Sequence, residues 1–528
     1  MNYADLFRVT LPETMLEVAA LLVLVVDLGM LRKAALKLRV TLAALLGVTG
    51  CGAAFWAMRY SAGSVYRFDG ALVLVQWGSA LVAQAAILVL TALTLLLLAG
   101  EKFTKHAGEF VAVVLMAAAG GMIVASAQDL LVIFVGLELL SLGLYILTAF
   151  AKTSGKSAEA AIKYYLFGGM SAAFLLFGFS YLYGITGSTN LDQIRQAIFL
   201  QGPSPLLYVA WILVVAGLGF KVAAVPFHLW APDTYEGAPA PAAAFIASVS
   251  KVASFALLIT ICMGTMSSPA YSLGSHFDWN EFARLYVIFH ATWYHFVAIL
   301  LIVSAASMIV GNLAALAQTS VRRLLAYSAI AHAGYMLLAL GTFPPHLPPA
   351  TQWQSISIEG VVALMVRAQS PLLYYVLTYG LTTIGAFGVV GVVERATGSD
   401  KLDSFLGLHK RNPVLAAVLL VLFLSLAGIP PLVGFWAKFN LFAAVLGVSA
   451  GPVPFGLVAL AVALSAVSLY YYLQVLKRAY VMPAIDSTPI KAHPVTLVVL
   501  VAIAAAVVIF GCFPALLQGW ISSAYPAM

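Results

Sequence analysis

Charge is what this sequence has least of: 27 Lys and Arg and 20 Asp and Glu make up 9% of its 528 residues. Soluble domains carry roughly 25% charged residues, so a soluble globular chain is excluded. Cysteine is also scarce. Cys51, Cys262 and Cys512 lie inside apolar runs and form no CxxC, which excludes a disulfide framework, a zinc site or iron-sulfur ligation in this chain. The formal charge of +7 contains no basic run and no aromatic-basic interleaving, so no nucleic-acid partner is expected. No cleavable leader is expected either: Asp5 accompanies Arg8, and the apolar stretch that follows has the length of a full span. Hydrophobic residues, at 63%, are what is there. They recur in runs longer than about 18 residues from end to end, the pattern of an all-α polytopic protein of the lipid bilayer.

Fourteen runs are long enough to cross, near residues 11–31, 39–58, 74–98, 108–127, 130–150, 160–184, 205–230, 239–264, 290–314, 322–342, 371–394, 413–448, 455–477 and 494–516. Gly-Ser-Thr-Asn at 187–190, Pro-Pro-His-Leu-Pro-Pro at 344–349 and Gly-Pro-Val-Pro at 451–454 separate neighbours. Positive charge tests the count, because cytoplasmic connections collect Lys and Arg. Seventeen fall in odd-numbered connections, among them Arg32, Lys33, Lys37 and Arg39 after the first span, Lys102 and Lys105 after the third, and Arg322 and Arg323 after the ninth. Only six (Arg8, Arg59, Arg67, Arg195, Arg284 and Arg367) fall on the other side. Both termini are therefore expected on the outer face.

Four cations remain, Lys163, Lys221, Lys251 and Lys438, inside or at the edge of spans. A lysine at mid-bilayer costs on the order of 2.5–3.5 kcal/mol. Lys163, about a turn into its span, can snorkel to the interface. Lys251 and Lys438 lie near the middle of theirs, and Lys221 lies deep in the seventh. Glu138, in Val-Gly-Leu-Glu-Leu-Leu-Ser-Leu, is the one acid near mid-span. Paired with one of the lysines it would keep both groups charged, and breaking the pair would release a proton. Glu13, Glu17 and Asp27, toward the ends of the first span, are expected at the interface. The seventh span carries Gly217, Gly219 and Pro226, and the twelfth carries Leu-Ala-Gly-Ile-Pro-Pro-Leu-Val-Gly at 426–434. Proline breaks the helix there, and freed backbone at depth is tolerated only inside protein or beside a watery cavity.

Spans four to eight and nine to thirteen read as two blocks of five, with the broken, lysine-bearing span fourth in each. Five is odd, so the blocks run in opposite directions, the inverted-repeat plan of secondary transporters. The expected division is three N-terminal spans over 1–107, a first repeat over 108–264, a second, inverted repeat over 265–478 and a C-terminal span over 479–528. No lysine in span thirteen answers Lys251, and Ser328 and His332 occupy the stretch answering Glu138. His228 and His332 are lone histidines in apolar helices, which are more often structural than relays.

Three motifs extend this reading. Gly-Phe-Lys-Val-Ala-Ala-Val-Pro-Phe-His-Leu-Trp-Ala-Pro-Asp-Thr-Tyr-Glu-Gly-Ala-Pro at 219–239, followed by Lys251, resembles the signature of the antiporter-like membrane subunits of proton-pumping respiratory complex I. Leu-Leu-Ala-Tyr-Ser-Ala-Ile-Ala-His-Ala-Gly-Tyr at 324–335 and Leu-Ala-Gly-Ile-Pro-Pro-Leu-Val-Gly-Phe-Trp-Ala-Lys-Phe at 426–439 do the same. The resemblance spans roughly 110–480 and is closest to the N type, which has lysine in the broken twelfth helix where the M type has glutamate. It implies that Glu138 and Lys221 form the pair of a first half-channel, that Lys251 is a central connecting lysine, and that Lys438 is the terminal lysine of a second. Lys163 and His228 would be a modulating lysine and a relay histidine. It also implies proton translocation in a bacterial inner membrane, driven by NADH oxidation and quinone reduction in partner membrane and peripheral subunits. NADH, flavin, iron-sulfur clusters and quinone would belong to those partners, with no cofactor or metal here. The competing expectations are a subunit of a multi-subunit sodium/proton antiporter of the same ancestry, an M-type paralogue, or a structural subunit whose lysines move no protons.

Overall fold

The computed structural model describes residues 3–68, 71–101, 103–202, 204–264, 279–341, 358–448, 451–484, 486 and 488–524. Lys102, the Pro-Pro-His separator at 344–349 and the expected 264/265 repeat boundary fall wholly or partly outside them.

Helices carry nearly everything: α1 (Tyr3–Val9), α2 (Leu11–Val25, extended by a π turn Val26–Met30), α3 (Leu36–Ser61), α4 (Ser79–Leu97), α5 (Ala107–Ser126), α6 (Leu130–Thr148) and α7 (Gly155–Thr186). Then come α8 (Leu191–Gln201), α9 (Pro205–Val222), α10 (Trp230–Gly237), α11 (Ala240–Gly264), α12 (Trp279–Leu316), α13 (Val321–Leu340) and α14 (Ile358–Thr397). The chain closes with α15 (Leu408–Arg411), α16 (Pro413–Ala427), α17 (Val433–Val448), α18 (Pro452–Tyr480), α19 (Pro494–Cys512) and α20 (Pro514–Ser523). Among the described residues twelve helices are long and apolar enough to cross a membrane. The pair α1 and α2, bent by 72°, is a thirteenth candidate, and α16 and α17 are shorter apolar helices. Every one of the fourteen expected segments falls on one of these helices or helix pairs.

Helix ends follow the side chains at hand. Asp129 caps α6 by accepting from the Leu131 and Val132 amides, and Ser320 caps α13 by accepting from Arg323. Pro205 and Pro413 open α9 and α16 at positions whose amides have no intrahelical partner. Three boundaries differ from expectation. Residues 74 and 75 belong not to the third span but to a hairpin of β1 (Val65–Phe68) and β2 (Ala71–Val75), and Gly78, at φ +58, turns the chain into α4. The helices α12 and α14 run 38 and 40 residues, well beyond the expected cores, and α14 continues through Pro371 inside it.

The centre of the bundle is α11, buried along its whole described apolar window and packed against α4, α5, α9 and α14. The tightest pairing is α12 with α13. A Cβ on Gly311 would meet the Ala331 amide nitrogen at 2.5 Å, and one on Gly334 the Met308 nitrogen at 2.7 Å. Glycine thus lets these two backbones touch. The three acids of the first span divide. Asp27 is buried and held by both arms of Arg39 at 2.7 and 2.6 Å, and Glu17 is exposed. Glu13, expected at the interface, is instead only 4% exposed, because α2 packs it inward against α4 and α5.

Candidate proton-relay site

Both expected breaks are present. The first half of the seventh span, α9, ends at Val222, where Ala223 takes the left-handed conformation at φ +60, and the chain re-enters helix at Trp230. The freed backbone finds partners: Ala224 donates to Gly219 O at 2.7 Å, Val225 to Ser307 Oγ on α12 at 2.9 Å, and Trp230 Nε1 to Phe220 O at 2.9 Å. The second break runs from Gly428, at φ +89, to Val433, and Gly434 donates to Ser425 Oγ at 3.2 Å. Each break contains a cis X-Pro bond, Val225-Pro226 and Pro430-Pro431. Lys221 lies on the half-helix before its break and Lys438 on the half-helix after, so the likeness of Gly-Phe-Lys to Gly-Phe-Trp-Ala-Lys does not put the two lysines at matching positions.

Lys221, Lys251 and Lys438 are 7%, 2% and 6% exposed. Lys221 Nζ donates to Ser141 Oγ on α6 at 2.6 Å, and Ser141 donates to Leu137 O. Glu138, half-buried on the same helix, acts on Lys221 through space. Among the described residues it makes no ion pair with a lysine. Ser141, one turn further along α6, takes the contact that a direct pair would have used. Lys251 Nζ donates to Ala329 O on α13 at 2.5 Å and stands 5.3 Å from the Tyr379 ring centroid. Lys438 Nζ donates to Ala427 O at 2.9 Å and to Ser465 Oγ at 2.7 Å. All three amines thus rest on neutral acceptors. An amine and an ammonium both donate to a hydroxyl or carbonyl, so gain or loss of a proton leaves these contacts usable.

His332 stands between the second and third lysines, within electrostatic reach of both Lys251 and Lys438. Its Nδ1 meets Tyr375 Oη at 2.8 Å and its Nε2 meets Tyr472 Oη at 3.5 Å, while Tyr472 and Ser328 share a hydroxyl contact. A small cavity opens beside it, lined by His332, Tyr375, Thr378, Tyr379, Thr382, Ser425, Leu426, Gly434 and Ala437. Near Lys438, Asn312 joins Tyr335 Oη at 3.1 Å and Tyr471 Oη at 3.2 Å, and the Lys438 ammonium lies 5.6 Å from the Tyr335 ring. Ser141, Ser465, Asn312, Tyr375 and Tyr472 are absent from the sequence-based site. Ser141 sits at i+3 from Glu138 and Asn312 is an isolated amide in an apolar run, signals that a search for polar residues at helical spacing would have found.

Lys163 and His228 stand apart from these groups. Lys163, half-exposed, pairs with Glu159 at 2.7 Å and Asp233 at 2.8 Å. Asp233 also meets Arg323 at 2.6 Å, and Glu236 meets Arg323 at 3.1 Å and Lys156 at 3.0 Å. Arg322 pairs with Glu394, and Arg395 with Glu101 at 3.1 Å. This clip fastens α7 and α10 to α13. Partial burial pushes the Asp233 and Glu236 carboxyls up, but donors from Lys163, Lys156 and Arg323 outweigh it and hold both below the usual carboxylate range. Glu101, in the connection after α4, is pushed up to about 7 by burial, against the pull of Arg395 and Arg322. Among the described residues, His228, half-buried in the first break, has no hydrogen-bond partner at Nδ1.

A polytopic bundle with two interrupted helices and three buried lysines is the pattern of a membrane ion-translocating subunit, and the chain belongs to the NADH:quinone oxidoreductase/Mrp antiporter transmembrane family, whose model matches residues 127–274, 281–344 and 355–467. Among its relatives, NADH-quinone oxidoreductase subunit N 2 of Acidobacterium capsulatum is 45% identical over 99% of both chains. Subunit N 1 of Roseiflexus castenholzii is 41% identical over 82% of this chain and 76% of its own. A chain of respiratory complex I from Thermus thermophilus, solved with bound aureothin, superposes with a TM-score of 0.73 at 31% identity, covering 96% of this chain and 98% of that one.

Proposed function

We propose that this chain is an N-type, proton-translocating membrane subunit of a bacterial NADH:quinone oxidoreductase, working among the other membrane subunits of that complex. The single observation that carries the reading is the 45% identity to a subunit N over 99% of both chains, joined to three lysines buried on neutral acceptors. The chain's contribution is proton movement, and electron transfer from NADH to quinone is assigned to partner subunits. It lies in the cell membrane with both termini outward, and residues 108–264 and 265–478 are inverted repeats between the N-terminal spans of 1–107 and the last span of 479–528.

The proposed path begins at Glu138 and passes by Ser141 to Lys221, then to Lys251, His332 and Lys438. Protonated Lys221 donates into Ser141, and the Glu138 carboxylate nearby favours its charged form. Withdrawal of Glu138 leaves a buried ammonium facing a neutral hydroxyl, which favours release of the proton toward the bundle centre. His332 suits the step between Lys251 and Lys438 because an imidazole can take a proton on one nitrogen and give one from the other, and both nitrogens face tyrosine hydroxyls. Lys163 and His228 are assigned modulating roles at the edge of this path.

The test is Lys438→Ala and Glu138→Ala in the assembled complex. Proton uptake per NADH oxidised falls in both under this reading, and wild-type pumping in both rejects it. The family also contains Mrp-type antiporters, so copurification decides the partner: quinone-reductase subunits support the proposal, and an antiporter complex with no redox subunit replaces it.

A further inference from the structure

We infer that Glu13, cradled by Gln76 and Gln84, is a separate proton-binding site, a carboxylic acid that carries an exchangeable proton inside the N-terminal part of the bundle. It does not rest on the lysine path, and Glu13 lies outside the residues matched by the family model.

The argument begins with oxygens that lack donors. Glu13 is 4% exposed, and Gln76 and Gln84 are fully buried. Gln84 Nε2 donates to Glu13 Oε1 at 2.8 Å and to Met122 O on α5 at 3.2 Å, while Gln76 Nε2 donates to Val9 O at 3.0 Å. Among the described residues Glu13 Oε2, Gln76 Oε1 and Gln84 Oε1 are buried acceptors without a hydrogen-bond partner. A carboxylate has no donor to offer them, whereas a carboxylic acid has one. Gln76 also reaches the same carboxyl, a contact that by itself favours the carboxylate and is set against the cost of burying the charge.

The surrounding charges point the same way. Among the described residues no cation forms an ion pair with Glu13, and the charged group acting on it is Glu17, one turn on and of the same sign. On α1 and α3, Arg8 donates to Tyr60 O at 3.0 Å and Arg39 grips Asp27. Glu13 does sit in the first turn of α2, where the helix dipole favours a carboxylate by about 0.3–1 kcal/mol, at most ~2. Burying an unpaired charge costs several-fold more than that, so the neutral acid wins.

Infrared difference spectra of the assembled complex in light and heavy water test this, by subtracting Glu13→Gln from wild type. The expected result is one carboxylic-acid carbonyl band that moves on deuteration, is lost in Glu13→Gln, and shifts upward in Gln84→Met, which removes the amide donor to Oε1. No deuteration-sensitive carboxyl band in the subtraction overturns the site, and a band that stays in place in Gln84→Met overturns the cradle. Should Glu13→Gln fail to assemble, Glu13→Asp, which keeps the acid, replaces it, and an unmoved band there counts against the proposal. Lysine-path pumping is unaffected by either negative result.

Discussion

Lys221, on the last turn of α9, donates to the hydroxyl of Ser141 on α6 at 2.6 Å, and that hydroxyl in turn donates a hydrogen bond to the Leu137 carbonyl. A buried ammonium is thereby connected to a neighbouring helix through one oxygen that both accepts and donates.

Ser141→Ala removes that acceptor and leaves the Lys221 amine buried with a donor unsatisfied, at a cost of about 1–3 kcal/mol. Proton uptake per NADH oxidised in inverted membrane vesicles should fall several-fold, with the complex still assembled. Ser141→Thr keeps a hydroxyl and should retain most of the wild-type value. Equal loss in both variants would show that packing, not the hydroxyl, matters here.

His332 provides a second test, because a structural histidine and a relay histidine predict different rescues. Both His332→Phe and His332→Gln should lower coupled proton translocation about tenfold or more, relay steps typically contributing more than that. Glutamine can still hydrogen-bond Tyr375 and Tyr472 but cannot hand a proton across. Full rescue by glutamine would assign His332 to structure.

The clip at Asp233 sets a pH dependence. Its folded carboxyl lies below its unfolded value, because the donors Lys163 and Arg323 outweigh partial burial. The contribution to stability is therefore present above the ordinary carboxyl range, near pH 4, and is lost as pH falls through the folded value. Asp233→Asn should cost about 1 kcal/mol at neutral pH, a small figure since the pair is partly exposed. Thermal unfolding of wild type and variant should converge only in acid. A difference independent of pH would contradict the ion-pair account.

Gly428 ends α16 at φ +89, and a Cβ there would stand 3.0 Å from Lys438 Cδ. Gly428→Ala should lower stability by roughly 1–2 kcal/mol from the left-handed backbone alone. It should also displace the Lys438 amine from Ala427 O, seen as reduced pumping at normal assembly. Unchanged pumping would separate that glycine from the lysine's placement.

Much of the architecture was legible because a bilayer makes it so: apolar length marks spans, and glycine and proline mark where Lys221 and Lys438 sit beside interrupted helices. Depth counting also singled out Lys251, which does lie on the most buried helix. What stayed hidden depends on contacts between distant segments. Nothing local in Glu138 says that Ser141 will take the Lys221 amine, since 80 residues separate the partners. Glu13 looks interfacial from its position near a span end, and only the packing of α4 and α5 buries it. Lys163 snorkels plausibly in one dimension, whereas its acid partner Asp233 lies 70 residues away. The hairpin escaped because β2, Ala-Leu-Val-Leu-Val, is as apolar as the span it precedes.

The most direct test of the lysine path is Lys251→Met, which keeps the side-chain length at the centre of α11 and removes the charge and its donor to Ala329. In the assembled complex reconstituted into vesicles, proton translocation coupled to NADH oxidation should fall at least several-fold. Wild-type protons per electron at wild-type turnover would contradict the path through Lys221, Lys251, His332 and Lys438.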